Sequence, residues 1–330
     1  SGVVQLNNHG LRQYGQTQLL AAMTVGMPAV KSQLSLLAQA SEGVAYARAD
    51  YEGLLPALGS RWSVFGTHSR SQSVLDGVAA TEGEATELGL GLSRILGGSR
   101  DLVFKGHVEL ASRESESRLQ ATGAQLSSIE DRQLRGRLVL DNERLSPHPL
   151  RAEFGLVLGQ YPQPVSAAVQ QGTYSRASFA LKAQTPLNAS GSLRLTGRLR
   201  GQWASRNLDS YNQITLGGTN GVRAYTSADG GGDHGALASL ELPQTLSPVL
   251  SVTAFYDGGQ VQAQAKPLNA SALNRYALQS AGLQLQGRYF QLHYTLTWAK
   301  GLGDYAGWVP SNIESHPGNS RVNLSVSYLF

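Results

Sequence analysis

The most reactive-looking neighbours in the chain are Asp233 and His234, an acid beside a base at the end of a glycine-rich run. Such a couple could pass a proton, but nucleophilic catalysis also needs a poised serine or cysteine within its reach. The chain has no cysteine, and no serine motif accompanies the pair. A polar, exposed dyad is the expectation, and the chain is not expected to be an enzyme. His9, His68, His107, His148, His293 and His316 are scattered without metal-ligand spacing such as His-x-x-x-His, so neither a metal nor a cofactor is expected. Two features stand apart. One is Arg223, a lone arginine inside GGTNGVRAYTSADGGGDHG (217–235), which reads as a long, flexible loop and, taken alone, as a surface arginine. The other is FYDGG (255–259), one strand later.

The elements that carry these residues follow from composition and alternation. The chain has 330 residues, 38 of them glycine, with 15% charged and 41% hydrophobic residues. It is richer in glycine and poorer in charge than soluble proteins, which average about 7% and about 25%. Lack of cysteine excludes disulfides, thiol chemistry and cysteine-based zinc sites. The opening SGVVQLNNHG lacks the charged start and apolar core of a signal peptide, and no run of about 18 apolar residues forms a membrane helix.

In RVNLSVSYLF (321–330), Val322, Leu324, Val326, Tyr328 and Phe330 share a face, against Arg321, Asn323, Ser325 and Ser327. This is period two, hence a strand. FQLHYTLTWAK (290–300) and SLRLTGRLRGQW (192–203) repeat the pattern. Strands of 10 to 13 residues exceed the usual soluble length and suit a tilted bilayer crossing of about 9–11 residues. Sixteen segments can be placed, starting near Tyr14, Lys31, Val44, Arg61, Glu84, Arg100, Arg132, Leu150, Gly172, Gly191, Tyr211, Gly235, Val249, Arg275, Tyr289 and Arg321. The fold class is therefore all-β, a sixteen-stranded antiparallel transmembrane β-barrel occupying residues 1–330 as one domain. Turns such as PLNASG and LGGSR are short, whereas ESESRLQATGAQLSSIEDR (114–132) and GLGDYAGWVPSNIESHPGNS (301–320) read as long polar loops. That asymmetry is the periplasmic-versus-extracellular one of outer-membrane barrels. The stretch SRSQSVLDGVAATEGEA after Ser69 has room for one helical turn at most.

If the apolar face meets lipid, the interior carries Arg194, Arg198 and Arg200 and, by the same alternation in RQLRGRLVL, Arg135 and Arg137. An arginine on the lipid face costs about 2–4 kcal/mol at the midplane, and little in a wet lumen. A hydrated, basic channel is implied. The alternative is a soluble barrel or sandwich with an arginine-studded surface. Nucleic-acid binding is not expected, because the arginines lie on strands distant in sequence without interleaved stacking aromatics.

On these residues the chain resembles the TpsB transporters of two-partner secretion, within the superfamily that includes BamA. Val222, Arg223, Ala224 and Tyr225 are similar to that family's VRG-Y/F motif. Phe255, Asp257 and Gly259 match its F-x-D-x-G strand motif. NNHGLRQYG (7–15) is similar to the DN-x-G…TG stretch that begins such barrels, and GGDHGALASLEL (231–242) to the segment entering their twelfth strand. Phe330 matches the usual C-terminal insertion signal. One departure is Ala224, where the family has glycine. The resemblance covers the barrel portion alone, since in that family a signal peptide, a plug helix and two POTRA domains precede it.

The resemblance implies that the long loop folds into the lumen and that Arg223 pairs with Asp257 on the inner wall. It implies a pore in the Gram-negative outer membrane that passes one large TpsA-like partner protein, an adhesin, haemolysin or contact-dependent toxin, in unfolded form. The further partners it implies are membrane lipid, lipopolysaccharide and the barrel-assembly machinery. Two other classes stay open: a BamA-like or patatin-linked assembly barrel, and a passive anion-preferring porin.

Overall fold

A computed structural model describes residues 1–74, 80–99, 101–142, 146–269, 274–303 and 318–330. The barrel strands of the first half are β1 (Gly2–Asn7), β2 (Gln18–Met27), β3 (Ser32–Ala40), β4 (Val44–Leu55), β5 (Ser60–Gln72), β6 (Thr81–Ser99), β7 (Leu102–Leu119) and β8 (Gln125–Asp141). After them come β9 (Leu150–Tyr161), β10 (Gly172–Pro186) and β11 (Arg194–Ala204). Two short strands, β12 (Ile214–Thr215) and β13 (Gly231–Gly232), stand outside the barrel. The wall resumes with β14 (His234–Ser247), β15 (Leu250–Gln262), β16 (Arg275–Tyr289), β17 (Leu292–Leu302) and β18 (Ser320–Leu329). Each wall strand pairs antiparallel with the next, β11 with β14, and β18 closes on β1, giving a sixteen-stranded closed barrel.

Alternation decides which face of each strand is which. On β6 Leu88, Leu90 and Leu92 are exposed while Glu87 is buried, and on β15 Tyr256 is exposed between buried Phe255 and Asp257. Large apolar side chains line the outside of a closed wall and polar ones the inside, the inverse of a soluble barrel and the pattern that lipid requires. Both termini lie at one end, where the connections run from two to eight residues; the longest described connection, 205–233, lies at the other.

Two strand assignments differ from the sequence-based expectation. The wall starts at β1, well before Tyr14, which sits in a 3-10 turn, Arg12–Tyr14. GVVQLN is too short for its period to stand out. No wall strand begins near Tyr211, because Ile214 and Leu216 alternate there only to pack against the wall. One missed strand and one surplus strand cancel in the count. The connection expected across Glu114–Arg132 is mostly strand, with β7 and β8 extending to Leu119 and back from Gln125. Of the 301–320 stretch, 304–317 lie outside the described residues, as do 75–79 of the stretch after Ser69.

The closing seam is short. β1 and β18 pair from Val3↔Leu329 to Asn7↔Ser325. Beyond it the Asn8 side chain takes over, its Nδ2 donating to the Val322 carbonyl at 3.0 Å and its Oδ1 accepting from Leu324 N at 2.7 Å. Phe330 N and O bond the backbone of Gly2 at 3.0 and 2.7 Å. The Phe330 ring covers Gly2, lying where a side chain at that position would stand.

Candidate functional site

The 205–233 connection is not a slack loop. β12 and β13 pair through Ile214↔Gly232 and Thr215↔Gly231. Inside that hairpin Leu216 N bonds Gly230 O (2.9 Å), Val222 N bonds Leu216 O (2.7 Å), and Gly218 N bonds Tyr225 O (3.0 Å). The Asp229 carboxylate accepts from Thr226 N at 2.7 Å and Thr226 Oγ1 at 2.9 Å, closing the turn. Gly218 (φ 103°) and Gly230 (φ 80°) take left-handed backbone that a side chain would strain. Ala224 is not among the residues of positive φ, so alanine fits without strain where the resembling family has glycine.

Arg223 leaves this hairpin and meets Asp257. Its Nη2 donates to Oδ1 at 2.8 Å, its Nε to Oδ2 at 3.0 Å, and its backbone N to Oδ2 at 3.2 Å. Register sets the flanks. Ser239 on β14 and Ser280 on β16 lie directly opposite Asp257, and their hydroxyls donate to it at 2.6 and 3.2 Å. Asp257 is 0% exposed and Arg223 5%. A buried charge is tolerable only when paired and fully hydrogen-bonded, and both are here. Glu241 of β14 forms ion pairs with Arg223 Nη2 at 2.8 Å and with Arg198 at 3.2 Å, so two arginines balance two carboxylates. The guanidinium rests over the Phe255 ring, 3.5 Å from its centroid, a cation–π contact. Gly282, opposite Phe255 across the ladder, has no side chain to collide with that ring. From β18, Asn323 donates to the Arg223 carbonyl at 3.4 Å.

The apolar residues of the motif form the bed of this contact. Leu216, Val222, Ala224 and Tyr225 are buried with Leu237, Phe255 and Leu278 of the wall. Gly259 belongs to it as well, since a Cβ there would stand 2.8 Å from Leu216 Cδ2.

A second fastening holds the other arm of the connection, and sequence reading missed it. Asp131 on β8 accepts from Tyr174 Oη at 2.9 Å and from Asn212 Nδ2 at 2.8 Å, with Gln133 Nε2 at 2.5 Å. Asp209 accepts from Tyr161 Oη (2.9 Å) and Arg113 Nη1 (3.1 Å). Arg113 stacks on the Tyr211 ring at 3.8 Å, and Tyr211 Oη donates to Glu87 at 2.8 Å. The tyrosines Tyr161 and Tyr174 stack at 4.9 Å. The sequence signal was Asn207, Asp209 and Asn212, three polar residues that a strand reading of Tyr211 onward obscured. Glu241 was legible by alternation, sharing a face with Ser239.

The wall arginines are not uniformly free charge. Arg135 lies 2.5 Å from Glu87 and 2.9 Å from Glu109, Arg198 pairs with Glu241, and Arg200 donates to the Thr215 carbonyl at 2.8 Å. Arg194 bonds the Gly191 carbonyl at 3.0 Å, and Arg137 is exposed. The polar face is thus mixed in sign, because acids on neighbouring strands face the arginines. Asp233 and His234 also depart from expectation. Asp233 is fully buried, accepting from Leu208 N (3.1 Å), Gln213 Nε2 (3.0 Å) and Ala265 N (2.8 Å), while His234 Nδ1 accepts from Ala204 N at 3.3 Å. Both are structural ties, and burial pushes the Asp233 carboxyl above the usual carboxylate range. Among the described residues no group of His, Asp and Glu has the makings of a metal site.

The fold is shared with solved structures. CdiB from Escherichia coli superposes with a TM-score of 0.82 at 18% identity, covering 100% of this chain and 62% of that one. CdiB from Acinetobacter baumannii gives 0.74 at 17% identity, covering 99% and 59%. BamA from Haemophilus ducreyi lacking POTRA domains 1–3 gives 0.69 at 13%, covering 100% and 70%. The chain therefore spans less than two thirds of either CdiB chain. No curated protein matches it. The family model described as haemolysin secretion/activation protein ShlB/FhaC/HecB matches residues 1–285. A closed sixteen-stranded barrel with an apolar outer face, so matched, is a β-barrel of the Gram-negative outer membrane. By fold and by that match, the chain belongs to the ShlB/FhaC/HecB family of haemolysin secretion/activation proteins.

Proposed function

We propose that this chain is the transmembrane conduit of a two-partner secretion transporter, passing a large TpsA-like exoprotein in unfolded form to the cell surface. The short-turn end, with both termini, faces the periplasm, and residues 205–233 occupy the lumen as a gate. The observation that carries the reading is the reach of this one connection. It bonds side chains of β6, β7, β8 and β9 through Asp209, Tyr211 and Asn212, and of β14, β15 and β18 through Arg223. Contacts with side chains on opposite walls of a closed barrel are what support a lumenal course for this segment. The Arg223–Asp257 pair is the latch, and Val222, Ala224, Tyr225, Phe255 and Gly259 shape its seat.

No nucleotide is at hand outside the inner membrane, so folding of the exported chain beyond the barrel biases its motion outward. The apolar outer face meets lipid and lipopolysaccharide, and Phe330 serves insertion by the barrel-assembly machinery. The test is secretion of the partner from cells carrying the full-length transporter, comparing wild type with Arg223→Ala and Asp257→Ala. Both substitutions should abolish secretion while heat-modifiable barrels remain in the outer membrane. Unchanged secretion would remove the latch from the mechanism.

A further inference from the structure

Inside a closed barrel, residues paired in register form rows that climb the wall, because the strands tilt and stagger. One such row is uncharged and polar at every step. Thr245 on β14 lies opposite Ser251 on β15, Ser251 opposite Gln286 on β16, and Gln286 opposite Thr295 on β17. From there Thr295 meets Ser325 on β18, Ser325 meets Asn7 on β1, and Asn7 meets Gln18 on β2. Alternation puts them on the inner face, which they share with buried Thr253, Ser280, Thr297 and Asn323. Thr245 stands near the end of β14 that lies with the termini, whereas Gln18 opens β2 at the opposite end. The row therefore climbs from one mouth of the barrel toward the other.

Among the described residues, Asn7 alone of this row has a side-chain hydrogen-bond partner, its Oδ1 accepting from His9 N at 2.9 Å. The hairpin grips the neighbouring row instead: Gln284 accepts from Arg223 Nη1 and Asn323 donates to the Arg223 carbonyl, both at 3.4 Å. Two cavities follow the row. One of about 440 Å³ is lined by Thr245, Ser251, Gln286 and Thr295, and one of about 600 Å³ by Gln286, Thr295, Ser325, Asn7 and Gln18. They share Gln286 and Thr295, and the hairpin tip, Gly218–Asn220, lines the larger one. Arg198, Arg223 and Glu241 also reach the larger cavity, but they are paired with one another. The opposite half of the wall differs in kind. From β4 to β8 its inner face holds ion pairs, Arg48 with Asp50 at 2.6 Å and Arg135 with Glu87 and Glu109 at 2.5 and 2.9 Å. A chain running there would compete with those pairs, whereas one running along the row competes only with water.

We propose that this row is the track of the exported chain, and that it takes extended segments of small, uncharged polar residues (Ser, Thr, Asn, Gly) in preference to charged ones. This rests on the export reading and names the chemistry of its cargo. Neighbouring strands lie about 4.8 Å apart, so the row spans roughly 29 Å, the length of about eight or nine extended residues. Hydroxyls and amides both donate and accept, so they meet a passing backbone in any register, in exchange for bonds to water. Repeated weak sites of this kind let a chain enter and also leave. A charged side chain finds no counter-charge in the row and must keep its hydration in a confined space.

Because the barrel has no cysteine, single thiols report the path. Gln286→Cys, Thr295→Cys and Ser325→Cys on the row, and Ser63→Cys on the inner face of β5, are made in the purified full-length transporter and labelled with a water-soluble maleimide. The probes are end-capped sixteen-residue peptides, one repeating Asn-Thr-Gly-Ser and one repeating Glu-Ser-Gly-Lys, both of zero net charge. The uncharged repeat should slow labelling of the row thiols at least fivefold and of Ser63→Cys less than 1.5-fold. The charged repeat should slow the row thiols less than twofold. Equal protection of Ser63→Cys would remove the track, and equal protection by the charged repeat would remove the selection. Protection at no position, in the parent and in Asp257→Asn alike, would overturn both. A second variant separates the track from the export reading: Thr295→Lys should cut secretion of the partner at least tenfold in barrels that keep their heat-modifiability, and Ser63→Lys should leave it within twofold. Secretion untouched by Thr295→Lys would refute the track and leave export standing. Row protection in a protein that no secreted exoprotein requires would refute export and support the row as a peptide track.

Discussion

Replacing Asp257 by asparagine keeps the shape of the latch and removes its charge. The carboxylate receives five hydrogen bonds, from Arg223 N, Nε and Nη2 and from the Ser239 and Ser280 hydroxyls. An asparagine oxygen meets one side of that set, and its amide opposes donors on the other. Breaking a buried ion pair costs about 3–5 kcal/mol, and the low end applies because Glu241 still holds Arg223 at 2.8 Å. About 3 kcal/mol is roughly a 100-fold change in the docking equilibrium. The absence of native cysteine makes this directly measurable. An Ala224→Cys thiol, at a buried position in the hairpin, reacts with a maleimide only when the hairpin opens. With opening and closing fast relative to labelling, the rate tracks the open population. Asp257→Asn should raise the rate about 100-fold, and Arg137→Gln should not change it. A rate within threefold of the parent, in a barrel that keeps its heat-modifiability, would show that packing and not the ion cluster holds the hairpin.

Other outcomes follow from the same geometry. Asn212→Ala strips a donor from the buried Asp131 and Asp209 carboxylates; at about 1–3 kcal/mol for each unmet group, protease cutting within 205–213 should accelerate at least tenfold while the wall stays intact. Gly259→Val pushes a side chain into Leu216 and should weaken docking by about 1–3 kcal/mol, seen as faster Ala224→Cys labelling without loss of the barrel. Burial raises the Asp233 carboxyl, so the closed form binds more protons than the open one between the ordinary value of 3.8 and the raised value. Closure should therefore be strongest below pH 3.8, weaken as pH climbs through that window and level off above it. Exchange protection of the Leu208 and Ala265 amides reports this, and Asp233→Asn should flatten the profile.

The wall was legible because a lipid-facing barrel must alternate without interruption, and segments such as RVNLSVSYLF state that period in every residue. The motif residues were legible because Arg223 and Asp257 are isolated charges in distinctive glycine-rich surroundings. What failed to show was structure without a period. β1 has six residues, of which only Val4 and Leu6 mark the exposed outer face. The arm at Asn207, Asp209 and Asn212 is fixed by wall and loop partners 39 to 96 residues away, and no local pattern encodes such contacts. Glycine content misled in its own way. It suggested slackness around Arg223, whereas Gly218, Gly230 and Gly259 serve tight turns and close packing.

The seat of Arg223 draws on β11, β14, β15, β16 and β18, from Arg198 to Asn323. Most of the chain must be in place before it is complete. A one-residue slip of β15 would turn Asp257 outward and offer Tyr256 instead, leaving the arginine without its counter-charge. The same side chains that fasten the hairpin therefore come together only in the native register. A barrel zipped in the wrong register, or not yet closed by its last strand, cannot bring the hairpin to rest.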